Sequence, residues 1–219
     1  VCLPCELALP ELERFDEVAT ARRRVARGAA LYHAGERFES LYALRSGAFK
    51  TVCVSRQGAE KVTGFYLPGE LLGLEAINDG RHGSTAVALE DSEVCILPFA
   101  AVERMAQQMP ALQHQLLRLV SSDISRDQGL MLLLGSMTAE QRLAAFLLSL
   151  ARRHERLGFS GSRFVLRMTR EEIGNYLGLT LETVSRLLSR FQREGLIAVK
   201  QREVEIRNAA GLRELIGYW

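Results

Sequence analysis

The chain is 219 residues long, 47% hydrophobic and 25% charged, with a formal net charge of +2. Such a composition belongs to a globular protein with room for one large domain and a small one. Its longest apolar runs, residues 143–151 and 130–134, fall short of the ~18–20 residues that a bilayer crossing needs, and no charged, then apolar, then small-residue leader opens the sequence; a cytoplasmic protein is expected and a membrane protein is not.

The charge is unevenly placed. Residues 1–139 hold 14 Lys and Arg against 17 Asp and Glu, whereas residues 140–219 hold 14 against 9. A mildly acidic front and a basic back suit a sensor joined to a nucleic-acid module. Four cysteines stand at 2, 5, 53 and 95. The count is even, but the chain is neither short nor secreted-looking, so reduced thiols are the starting expectation.

From Arg24 to Pro98, short β-type segments at 41–44, 49–55, 62–66 and 94–97 are cut by glycines. Strands of that length with turn signals between them predict a small antiparallel barrel or sandwich. Arg56-Gln57-Gly58 reads as a hairpin turn. After Pro98 the pattern becomes helical, with Pro110 well placed as the first residue of a long helix. Along it Gln113, Leu117, Val120, Ile124, Asp127, Met131 and Leu134 follow in steps of four and three, a coiled-coil seam carrying one acid. Leu112, Leu116 and Leu119 form a second stripe. One stripe would pack on the chain's own barrel and the seam on a second copy; a core helix within a monomer is the alternative. In a parallel two-fold dimer Asp127 would meet its own copy, and that repulsion would leave the dimer marginal. Residues 140–157 predict a further amphipathic helix, ended by Gly158-Phe159-Ser160-Gly161.

Thr169-Arg170-Glu171-Glu172 is a capping box that opens a short helix; Gly178-Leu179 turns the chain, and Thr180 can cap a second helix over 181–194. Two short helices joined by a glycine turn predict a helix-turn-helix. On the second helix Val184, Leu187, Leu188 and Phe191 share an inward face, while Glu182, Ser185 and Arg186 lie on the other. Arginine pairs with guanine O6 and N7, glutamate accepts from cytosine N4, and serine serves either, so these three are the candidate base readers. Thr169, Thr180, Arg190 and Arg193 are the candidate phosphate contacts. The bland alternative is a surface helix pair with Glu182–Arg186 as an i,i+4 ion pair. Residues 199–206 alternate with period two, as the hairpin of a winged variant would.

In this order of elements the chain resembles the cyclic-AMP-receptor/FNR (CRP/FNR) superfamily of transcription regulators, and its oxygen-sensing FNR branch in particular. The likeness is carried by Leu41-Tyr42-Ala43-Leu44-Arg45-Ser46-Gly47, Thr63-Gly64-Phe65, Val94-Cys95-Ile96-Leu97-Pro98-Phe99, Ile173-Gly174-Asn175-Tyr176-Leu177-Gly178-Leu179-Thr180 and Glu182-x-x-Ser185-Arg186. It implies an α+β fold: an antiparallel β-roll (double-stranded β-helix) sensor within 1–109, a dimerisation helix at 110–136 and a winged helix-turn-helix at 137–219. It also implies a homodimer that binds double-stranded DNA at an inverted repeat of TTGAT-like half-sites and works with RNA polymerase.

Relatives that bind cyclic nucleotides hold the phosphate with an Arg-Ser pair, where this chain has Gly83 and Ser84 in His82-Gly83-Ser84-Thr85-Ala86. Without that guanidinium cyclic AMP is not the expected effector. FNR-type sensors carry a 4Fe-4S cluster on three N-terminal cysteines and one in the roll. Cys2 matches the last of the three and Cys95 the roll cysteine; two further ligands are expected ahead of Val1, and the chain as it stands is expected to hold the cluster poorly or not at all. Cys5 and Cys53 have no counterpart, and pairing Cys2 with Cys5 as the first ligands would put Glu11 where the next cysteine is needed. A cluster-free trigger, either a thiol switch through Cys2 and Cys5 or a small molecule other than cyclic AMP, is the rival reading. An enzyme with a regulatory roll is the rival from another class, and no nucleophile–base pair, P-loop or clustered histidines speak for it.

Overall fold

The structure, a computed structural model, describes residues 21–217. The chain divides into two compact units between Ser125 and Arg126, inside a long helix.

In the first unit eight strands run β1 (Ala21–Val25), β2 (Ala30–Tyr32), β3 (Ser40–Ser46), β4 (Phe49–Val54), β5 (Glu60–Tyr66), β6 (Leu71–Leu72), β7 (Thr85–Ala88) and β8 (Ser92–Pro98). They form two four-stranded antiparallel sheets, ordered β1-β8-β3-β6 and β2-β7-β4-β5. Every one of the eight contributes to the core between them, which holds Val25, Leu31, Tyr32, Leu44, Phe49, Tyr66, Leu72, Ala86, Ala88 and Val94. The expected hairpin joins β4 to β5, with Val54 opposite Glu60.

The first sheet is covered on its outer face as well. Alternate residues of β3 point opposite ways: Leu44 enters the inter-sheet core, while Leu41 and Ala43 meet Val102, Ala106, Met109 and Leu112 on the other side. Val102 and Ala106 lie on α1 (Phe99–Gln108), Met109 follows it, and Leu112 lies at the start of α2 (Pro110–Ser136). A strand buried on both faces reads as a continuous apolar run, which is why 41–44 shows no alternation.

Helix α2 has 27 residues and so extends about 40 Å at ~1.5 Å per residue. The Leu112 stripe lies against the roll, with Leu112 buried and Leu116 and Leu119 packed beside it. Leu117, Ile124 and Met131, from the seam, are exposed.

The second unit continues with α3 (Ala139–Arg156), β9 (Arg163–Val165), α4 (Arg170–Leu177), α5 (Leu181–Arg193), β10 (Ile197–Lys200), β11 (Glu203–Ile206) and α6 (Ala209–Ile216). Thr138 and Gln141 form a reciprocal capping box at the start of α3. The alternating 199–206 stretch falls within an antiparallel hairpin, Lys200 opposite Glu203, and β9 adds a third strand beside β11. No helix among the described residues is long and apolar enough to cross a membrane.

Candidate nucleic-acid interface

The two-helix element is set by local chemistry. Thr169 Oγ1 accepts from the Glu172 amide at 3.1 Å, and Glu172 Oε2 accepts from the Thr169 amide at 2.7 Å. Two of the donors that every helix N-terminus leaves open are thereby satisfied. Helix α4 ends at Gly178, whose φ of 65° lies in the left-handed region that glycine adopts without strain. A Cβ on Gly174 would lie 2.6 Å from the Leu179 carbonyl oxygen, so glycine there lets the turn close against the helix it leaves. Thr180 Oγ1 then accepts from the Thr183 amide at 3.2 Å and starts α5.

Helix α5 is sharply two-sided. Val184, Leu187, Leu188 and Phe191 are buried. Glu182 and Arg186 are exposed and Ser185 is half-buried, so all three predicted base readers lie away from the core within the first turn and a half. No ion pair joins Glu182 to Arg186. Thr169, Thr180 and Arg193 are exposed as well, the two threonines with their oxygens already engaged as caps.

Arg190 is differently placed. Its Nε donates to Glu194 at 2.7 Å and its Nη1 to Glu140, on α3, at 3.0 Å. The hydrogen bond to Glu194, then the charges of Glu140 and Glu194, hold this guanidinium above its ordinary pKa. A phosphate would compete with both carboxylates for it.

Two side chains outside the predicted set belong to this region. Arg170, the first residue of α4, donates from Nη1 to Ser185 Oγ at 3.2 Å. Arg142 on α3 donates to three carbonyls: Met137 at 2.9 Å, Leu134 at 3.0 Å and Leu177 at 3.1 Å. One cation thus serves orphan carbonyls near the ends of both α2 and α4. Neither contact leaves a periodic trace, since the partners are 15 and up to 35 residues apart.

Of the predicted seam, Gln113, Leu117, Ile124, Asp127 and Met131 are exposed, and Val120 is partly so. Leu134 is half-buried beside the helix-turn-helix turn, its Cδ2 3.3 Å from where a Cβ on Gly178 would stand.

In the roll, Cys95 sits on β8 opposite Arg22 of β1 and Ala43 of β3, half-buried against the helix-covered side of the sheet. Cys53 lies in the other sheet and donates from Sγ to the Gly83 carbonyl at 3.5 Å. Cys2 and Cys5 lie outside the described residues. Among the described residues no three His, Cys, Asp or Glu come together as a metal site.

The stretch that would meet a cyclic phosphate is occupied internally. Ser84 is buried, and its hydroxyl and that of Tyr32 both donate to Glu75 Oε1 at 3.4 Å. His82 stacks on Tyr32 with ring centroids 3.7 Å apart. Burial, reinforced by the Glu75 carboxylate, pushes the Tyr32 phenol far above its ordinary pKa. Gly83 supplies no guanidinium here, and Glu75 is engaged with Ser84.

Comparison with known proteins bears on both units. Residues 22–109 match the family model described as cyclic nucleotide-binding domain, and residues 141–215 that described as Crp-like helix-turn-helix domain. The chain is 50% identical over 217 residues to the transcriptional regulatory protein btr of Bordetella pertussis, covering 99% of the chain and 90% of that protein. It is 45% identical over 218 residues to the fumarate and nitrate reduction regulatory protein of Escherichia coli, covering 100% and 87%. Its fold is similar to that of FixK2 from Bradyrhizobium japonicum, with a TM-score of 0.82 at 30% identity over 91% of this chain and 98% of that one.

Proposed function

The chain belongs to the FNR branch of the CRP/FNR transcription regulators, DNA-binding proteins and not enzymes, and from that premise we propose that it acts in the cytoplasm as a homodimer reading an inverted repeat of TTGAT-like half-sites. The observation that carries the reading is the face of α5, where Glu182, Ser185 and Arg186 stand clear of the core on a helix whose other side is fully buried. Arg186 pairs with a guanine and Glu182 with a cytosine N4. Thr169, Thr180 and Arg193 meet phosphates and set register, and Arg190 joins them only by releasing Glu194. The exposed Leu117, Ile124 and Met131 meet a second copy in a parallel pair of α2 helices. RNA polymerase is the partner on the promoter.

The trigger in this reading is a 4Fe-4S cluster that controls dimerisation, with Cys95 as its ligand from the roll and Cys2 from the N-terminal segment. Such a cluster supplies an oxygen-labile redox centre when bound. Support for Cys95 is its place: it lies directly opposite β1, where the N-terminal part of the chain enters the roll. Gly83, which supplies no guanidinium, speaks against cyclic AMP. A thiol switch remains the second reading, on the pair Cys2 and Cys5.

Binding titrations on matched and base-substituted sites at two salt concentrations test the DNA reading. Arg186→Ala is expected to cost ~1–3 kcal/mol at the cognate site and relax preference at one guanine, whereas Arg193→Ala weakens all sequences alike and lowers the salt slope. Unchanged base preference in Arg186→Ala would refute the assigned face.

A further inference from the structure

Several helical serines of this chain settle their hydroxyl hydrogen on their own helix. Ser125, Ser136 and Ser189 each donate to the carbonyl four residues back, at 2.9, 2.8 and 2.9 Å, the usual local partner for serine within a helix. Ser185, one turn before Ser189 on α5, does not. Its single side-chain bond among the described residues comes from Arg170 Nη1 at 3.2 Å. A guanidinium has donors only, so Ser185 Oγ is the acceptor, and its own hydrogen and one lone pair are left over.

We propose that Arg170 is a specificity-determining positioning residue: by donating to Ser185 Oγ it keeps that hydroxyl off the carbonyl of its own helix and presents it as a hydrogen-bond donor to a base edge. Unassisted, a serine reads either a donor or an acceptor and discriminates weakly. Held this way, Ser185 prefers an acceptor such as thymine O4, guanine O6 or a purine N7, and disfavours cytosine, whose major-groove group is the N4 donor. Arg170 is itself exposed, so the competing role for it is a phosphate clamp. The two roles separate by what they do to sequence preference and to salt dependence. The inference rests on the operator reading given above.

The experiment is a set of titrations with the full chain on an inverted repeat and on every single-base variant of its half-site, at two salt concentrations, for wild type, Arg170→Met, Arg170→Lys, Ser185→Ala and the double variant Arg170→Met/Ser185→Ala. In Arg170→Met the preference at the base opposite Ser185 is expected to flatten by about five- to tenfold per half-site, the worth of one hydrogen bond, with preference elsewhere and the salt slope unchanged. Arg170→Lys, which keeps a donor, retains part of that preference. Adding Arg170→Met to Ser185→Ala changes nothing further, because the side chain through which Arg170 acts is gone. A uniform loss over all sites in Arg170→Met, with the slope of log affinity against log salt falling by about 0.9 per half-site, would make Arg170 a phosphate contact and overturn the inference alone. A wild-type chain without preference at any position would overturn the operator reading, and the inference with it.

Discussion

Shortening Ile124 to alanine is predicted to weaken dimerisation without unfolding the chain. In the single chain the Ile124 side chain is 53% exposed, flanked along the stripe by Leu117 at 62% and Met131 at 66%, so this isoleucine contributes little to its own fold. Burying a whole isoleucine is worth about 1.5–3 kcal/mol. Burying the exposed half in each of two copies gives roughly 1.5–3 kcal/mol, and its loss lowers the dimer constant by about 10- to 150-fold at ~1.4 kcal/mol per decade. Asp127 acts with the opposite sign. Two carboxylates meeting across a parallel pair at ~6 Å and an effective dielectric of ~20 repel by about 2–3 kcal/mol, so Asp127→Ala is predicted to tighten the dimer by a similar factor. Sedimentation equilibrium on wild type and both variants, in air and at micromolar concentration, reads the constant directly; circular dichroism confirms that each remains folded. The opposed shifts are the signature. A dimer constant indifferent to both substitutions would remove α2 from the interface and leave the stripe a solvated surface.

Arg142→Met is predicted to destabilise the chain by about 2–4 kcal/mol, because three carbonyls lose a charged donor at once; a denaturant midpoint within ~0.5 kcal/mol of wild type would mean that water replaces the guanidinium. When a chain that carries the full set of four cysteine ligands is reconstituted without oxygen with iron and sulfide, Cys95→Ser is predicted to bring bound iron to background. Cys53→Ser, whose Sγ is turned to the Gly83 carbonyl of the other sheet, is predicted to leave iron unchanged. Full iron in Cys95→Ser would refute the ligand assignment.

What the sequence discloses follows the range of each interaction. The capping box Thr169/Glu172 spans three residues and is realised as read. The long helix from Pro110 is legible because its two stripes repeat over many turns, and β3, β4, β5 and β8 because each is apolar enough to stand out. Strand β1 is not legible: Ala21-Arg22-Arg23-Arg24 is exposed throughout and is a strand only because β8 lies beside it. Nor is α6, whose eight residues are capped by Asn208 accepting from the Gly211 amide at 2.8 Å. The bridge from Arg190 to Glu140 joins residues 50 apart; no local pattern predicts it, and it alters what Arg190 has to give up to meet a phosphate.

Glu182 and Arg186 show what coordinates add to a motif. Four residues apart on a helix, with the acid first, they have the spacing of the commonest surface ion pair, and sequence alone leaves that reading beside the base-reading one. One turn further on, Arg190 and Glu194 have the same separation in the reverse order and do form the pair, at 2.7 Å. At the start of α5 no such bond joins Glu182 to Arg186. The carboxylate there sits in the first turn, where the helix dipole favours a negative charge without a cation's help. The guanidinium keeps all five of its donors. The same helix therefore closes its charges on each other at one end and leaves them open at the other, and the open end is the one that a recognition helix presents to bases.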